Sequence, residues 1–136
     1  MPRVSKEVQH NVLINPTQSK IIYFLNIEPD NSNGLFKRDI GKTQSVIYRQ
    51  LVRLADDNEK YIISSDVKKN AYQVNYPKLI EEFIKHSGRE ILSYEFDMIK
   101  TLMSSDKFKT LKEIFIFVEN YSYYQEEYQK IRDSSK

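Results

Sequence analysis

Apolar residues recur along the chain at helical spacing, broken once by a stretch that alternates every second residue. Residues 1–14 begin polar and end in Val12, Leu13 and Ile14, which predicts a short arm or helix resting on a core. Asn15-Pro16 then starts a helix over 16–27, with Asn15 as N-cap, Pro16 in the first position and Ile21, Ile22, Phe24 and Leu25 as the inward stripe. Pro29 and the turn-forming run Asp30–Gly34 follow. Two short helices are predicted at 35–41 and 43–56, joined by a tight turn at Gly41–Thr43, with Ile40, Ile47, Leu51 and Leu54 inward. In the next segment Tyr72, Val74 and Tyr76 alternate with Ala71, Gln73 and Asn75. With Tyr61–Val67 before the turn Lys68-Lys69-Asn70, this predicts a hairpin over 61–76. Pro77 opens another helix, carrying Leu79, Ile80, Phe83 and Ile84 and ending at Ser87-Gly88. The remainder reads as a helix at 89–104 and a longer one, capped by Asp106, that runs to about Arg132. The fold class is therefore mainly α with a small β-hairpin, divided into residues 1–86 and a helical region 87–136.

Composition narrows the chemistry. The 136 residues include no cysteine, which removes disulfides and thiolate metal sites. The two histidines, His10 and His86, have no companion at metal-ligand spacing, so neither a metal nor a cofactor is expected. Asp30–Gly34 starts like a calcium loop, but Gly34 and Gly41 occupy ligand positions and the pattern fails. There is no phosphate-binding glycine loop and no nucleophile–histidine arrangement, so no catalytic residue is assigned and an enzyme is not expected. The absence of a long apolar run predicts a soluble, cytoplasmic chain with no membrane partner.

The net charge of +2 is uninformative, but its distribution is not. Residues 1–76 hold 11 basic against 8 acidic side chains, and residues 77–136 hold 10 against 11. Between 37 and 53 lie Lys37, Arg38, Lys42, Arg49 and Arg53 with Asp39 as the one acid. Helix 43–56 turns Gln44, Ser45, Tyr48 and Arg49 outward, a set suited to base edges in a DNA major groove: Arg49 to guanine, Gln44 to adenine. Arg38, Lys42, Thr43 and Arg53 are placed to hold phosphates. Plainer readings stand beside these: Tyr48 as a half-buried ring, Arg53 paired with Asp56 or Asp57, and Lys68-Lys69 as solubilising turn residues.

The order of helix 16–27, helix 35–41, helix 43–56 and hairpin 61–76, with Gly41-Lys-Thr-Gln-Ser-Val-Ile-Tyr-Arg-Gln-Leu51 followed by Leu54, resembles the winged helix-turn-helix transcription regulators of the MarR, ArsR and PadR type. The resemblance covers about residues 13–85, and the richness in Lys, Ile, Asn and Tyr would suit an archaeal or archaeal-viral member. It implies a winged helix-turn-helix domain followed by C-terminal helices, double-stranded DNA as partner, and the hairpin as a wing whose Lys68 and Lys69 touch the backbone or minor groove.

Readers of this kind commonly act as homodimers. In the last helix Leu111, Ile114, Val118, Tyr121 and Tyr128 follow an a/d-like spacing, with Gln125 interrupting. That stripe either forms a dimerisation seam or packs on the chain's own helix 89–104. Tyr94, Tyr121, Tyr123, Tyr124 and Tyr128 either pack at an interface or line an effector pocket, for which no ligand can be named. The leading expectation is a sequence-specific DNA-binding transcription regulator; the alternative is a winged-helix adaptor that binds another protein through the outward face of 43–54.

Overall fold

A computed structural model describes residues 12–36, 42–56, 60–105 and 107–134. The first helix, α1, spans Pro16–Ile27. The Asn15 carboxamide oxygen accepts from the N–H groups of Thr17 (3.0 Å) and Gln18 (3.1 Å), satisfying two donors that a helix start leaves unpaired. A 3-10 turn follows at Ser32–Phe36. Gly34 is required there because a Cβ would meet the Phe24 ring at 2.6 Å. The helix expected at 35–41 thus meets a 3-10 turn at its start; residues 37–41, with Arg38, Ile40 and the turn at Gly41, lie outside the described residues.

Helix α2 spans Gln44–Leu54 and is capped by Thr43, whose hydroxyl accepts from the Val46 N–H. Strands β1 (Ile62–Ser64) and β2 (Tyr72–Val74) form an antiparallel hairpin in the register Ile62 to Val74, Ile63 to Gln73 and Ser64 to Tyr72. Helix α3 (Tyr76–Ser87) ends at Gly88, whose left-handed φ of 72° suits a residue without Cβ.

Helix α4 covers Ser93–Ser105, four residues shorter at its start than the expected 89–104. The reason is the buried Glu95. Its carboxylate accepts from Nη1 and Nη2 of Arg89 (2.8 and 2.6 Å) and from the Leu92 N–H (3.0 Å). Residues 89–92 are thereby held as a strap ahead of the helix, and Leu92 lies exposed. Arg89 holds the Glu95 carboxyl below the usual carboxylate range, and Glu95 in turn raises the guanidinium.

The long final helix is instead two: α5, Leu111–Glu119, and α6, Tyr121–Ser134. Thr110, not Asp106, caps α5; Asp106 lies outside the described residues. The break comes at Asn120, the C-cap of α5, whose side-chain amide donates to the Ile116 carbonyl at 2.8 Å alongside its own backbone N–H at 3.1 Å. A second departure from helical geometry falls at Tyr124, whose ring stacks on Phe117 at 4.7 Å.

One apolar core joins all of this, from Val12 through α1 and α2 to Ile131. It runs unbroken across the 86/87 boundary between the two expected regions. Phe83 of α3 meets Phe115 of α5 edge-on at 5.3 Å, and α4 packs on both α1 and α5. Polar ties cross the same boundary. The buried Ser19 hydroxyl donates to the Val12 carbonyl and accepts from Leu111 N–H, while Lys112 N–H donates to the Leu13 carbonyl. The start of α5 is therefore fastened to residues 12–19; residues 1–11 of the expected arm lie outside the described residues. Asn26 likewise joins three helices: its carboxamide nitrogen donates to Lys100 O and Ser104 Oγ, and its oxygen accepts from Tyr76 Oη.

This core also decides the C-terminal stripe. Leu111, Ile114, Val118 and Tyr128 are buried, and Tyr121 packs partly buried against them. These five residues are committed within the chain, so they do not form an exposed dimerisation seam. The Tyr121 ring meets Tyr128 edge-on and Tyr94 at a tilt, while Tyr123 projects into solvent.

Candidate nucleic-acid interface

Helix α2 is clamped along one side only. Ile47, Leu51 and Leu54 are buried against α1 and Leu35, a stripe at 3.6-residue period that leaves the opposite side of an 11-residue helix uncovered. The helix is also held by a polar clasp the sequence did not reveal. Gln18, on the inward side of α1, donates from its amide nitrogen to the Gln50 amide oxygen at 2.7 Å. Gln18 is nearly fully buried, so this bond satisfies a donor that would otherwise be costly. A glutamine in register with Ile21, Ile22 and Leu25 was the available signal, since a polar group on an inward stripe needs a partner.

The outward face carries Gln44, Ser45, Tyr48, Arg49, Val52 and Arg53, all exposed, with Lys42 and Thr43 exposed just ahead. Tyr48 is 61% exposed, so it is not a half-buried ring. Arg49 and Arg53 line a shallow depression with Val46 and Gln50, which sets two guanidinium groups beside one concave surface. Residues 42–55 include three basic side chains and no acidic one. The Thr43 hydroxyl lies 3.4 Å from that of Ser45, so the cap and one outward hydroxyl are linked. Val46 and Val52 belong to this surface and were missed, because an apolar residue outside the inward stripe carries no weight in a periodicity argument.

The hairpin is fastened to the C-terminal end of α2. Tyr61 N–H donates to the Leu54 carbonyl at 2.8 Å, Asn75 N–H to the Tyr61 carbonyl at 2.9 Å, and the Asn75 side chain to the Lys60 carbonyl at 2.8 Å. On its other edge β2 meets the segment after α1: Asp30 N–H donates to Tyr72 O, Tyr72 N–H to Ser32 Oγ, and the Gln73 amide to Asp30. The hairpin tip is stiffened by Ser65 Oγ, which accepts from the N–H groups of Val67 and Lys68 at 3.0 Å each. Asn70 takes a left-handed φ of 60°, which asparagine tolerates. Lys68 and Lys69 are exposed at this tip.

Of the sequence-predicted residues, Lys42, Thr43, Gln44, Ser45, Tyr48, Arg49 and Arg53 share α2 and its cap, Lys68 and Lys69 sit apart on the hairpin, and Arg38 lies outside the described residues. Among the described residues no cluster of three or more His, Asp or Glu gathers to hold a metal ion, and no helix is long and apolar enough to cross a membrane. His86 faces Glu119 at 3.5 Å and the Phe115 ring, a pairing between α3 and α5 remote in sequence from α2. No family model, no curated protein and no solved structure matches the chain.

Proposed function

We propose that the chain is a sequence-specific DNA-binding regulator of winged helix-turn-helix build, with α2 as reading helix and the hairpin as wing. The observation that carries this reading is the outward face of α2: Gln44, Ser45, Tyr48 and Arg49 exposed together, flanked by Lys42 and Arg53, on a helix whose opposite side is sealed. Gln and Arg offer the bidentate donor and acceptor patterns that adenine and guanine edges complement. Lys42 and Arg53 suit the phosphates on either side, and the N–H groups of the first turn favour anions. The pairing of β2 with residues 30–32, and of the hairpin base with the end of α2, supports a wing held at a fixed angle to that helix.

A second reading keeps the same face but gives it a protein partner; the exposed Tyr48 and Val52 favour it. Ionic strength separates the two. In fluorescence-polarisation titrations against genomic duplex fragments, phosphate neutralisation predicts log affinity falling linearly with log salt, by about 0.9 per phosphate neutralised. Absence of binding at low salt overturns the DNA reading.

A further inference from the structure

Within the basic face of α2 lies an apolar strip that the hydrogen-bonding residues do not account for. Val52 is 50% exposed and stands one turn beyond Tyr48, so at helical rise the two side chains are neighbours. Arg49, three residues before Val52, is exposed on the same side of the helix. A lone exposed valine is ordinary, but here two exposed apolar side chains adjoin each other on a face otherwise made of amide, hydroxyl and guanidinium groups.

We propose that Val52, walled by Tyr48, is a specificity-determining residue that selects thymine through its 5-methyl group. This rests on the DNA reading above and deepens it. The thymine methyl is the apolar feature that base pairs present in the major groove, and it is recognised by apolar contact rather than by hydrogen bonding. A valine in a helix holds one strongly preferred χ1 rotamer, so its methyls are already fixed and little freedom is lost on docking. Charge decides the occupant: Arg49 and Arg53 are exposed on the outward face of the same helix and no acid lies between residues 42 and 55, so a polyanion suits this surface.

The experiment begins with selection of bound duplexes from a random pool by the full chain. Each thymine in the selected site is then replaced by uracil, which removes the methyl and nothing else. One or two positions should lose affinity by about fourfold, the worth of one buried methyl group. At those positions Val52→Ala should bind thymine and uracil equally, Val52→Thr should retain part of the discrimination, and Arg49→Ala should keep it while losing preference at a neighbouring pair. Enriched DNA in which every thymine tolerates uracil overturns the assignment to Val52 alone, as does an undiminished uracil penalty in Val52→Ala. A pool that shows no enrichment overturns the DNA reading and this assignment with it.

Discussion

Helices α2 and α6 invite comparison because they are built alike and dressed differently. Each is a surface segment, α2 an 11-residue helix and α6 a 14-residue one kinked at Tyr124, fastened by a few inward side chains: Ile47, Leu51 and Leu54 in one, Tyr128 and Ile131 in the other. Both show polar outer faces. On α6 that face is mixed, with Glu126, Glu127 and Asp133 against Lys130 and Arg132, and i,i+4 contacts such as Gln129 to Asp133. On α2, with its cap, it is basic and amide-rich with no acid. An exposed polar helix is by itself only a solvated surface; the sign of its charge and its donor–acceptor pattern make α2 the candidate.

Both helices ride on one apolar core, and damage to that core should be felt by both. Phe115→Ala empties a fully buried site against Phe83 and should cost about 3–5 kcal/mol. Thermal unfolding followed by far-UV circular dichroism should still show a single transition, at lower temperature. Two separated transitions would mean that α2 and α6 belong to independent units.

Next in size is the test of the faces themselves. Arg49→Ala should weaken DNA binding by about 1–3 kcal/mol and relax preference at one base pair in polarisation titrations. Lys68→Ala combined with Lys69→Ala should weaken all sequences alike and lower the salt slope by about 1 for each phosphate left without its lysine. An Arg49→Ala protein with unchanged affinity and preference removes α2 from the reading role.

How far these features were legible depends on how local their causes are. The starts of α1 and α2 followed from caps within three residues, Asn15 and Thr43, and the end of α3 from Gly88, whereas α2 ends at Leu54, two residues short of the expected 56. The exposure of Gln44, Ser45, Tyr48 and Arg49 followed from the inward stripe, since three buried positions fix the orientation of a helix. What escaped was set by contacts at a distance or by side-chain competition. Gln18 meets Gln50 across 32 residues, and Ser19 meets Leu111 across 92. The start of α4 depends on Arg89 reaching Glu95, and α5 stops at Asn120, whose side-chain amide shares the Ile116 carbonyl with its own backbone N–H. A stripe at 3–4 spacing shows that a face is covered but not by what, which is why Leu111, Ile114 and Val118 suited a partner chain until the core claimed them.

A smaller effect sharpens the contrast through charge. The α4 side of the molecule stores a carboxylate that is 2% exposed and held below its ordinary pKa by Arg89, whereas the α2 face presents its cations to solvent. A depressed carboxyl pKa means that the unfolded chain binds the proton more readily. The contribution is therefore full above about pH 4.5, the unfolded value, and is lost as the pH falls through the lower folded value. Because Arg89 is half exposed, the contribution is on the order of 1 kcal/mol. Urea titrations at pH 7 and below 4 should show Glu95→Gln less stable at neutral pH and less sensitive to acid. Equal acid sensitivity in both proteins removes Glu95 as the source.

The smallest expected effect tests the other half of the comparison. Arg132 is exposed in the last turn of α6, where a cation suits the helix dipole and where acids also line the helix. Arg132→Ala removes the same side chain as Arg49→Ala, so the two variants differ only in the helix that bears the change. The stability of Arg132→Ala should move by no more than about 0.5 kcal/mol, the usual range for a surface substitution. Its DNA affinity and salt slope should match those of the unaltered protein, because a guanidinium among Glu126, Glu127 and Asp133 adds little attraction for phosphate. A loss equal to that of Arg49→Ala would mean that binding follows total positive charge rather than the face of α2, and the distinction between the two helices would fail.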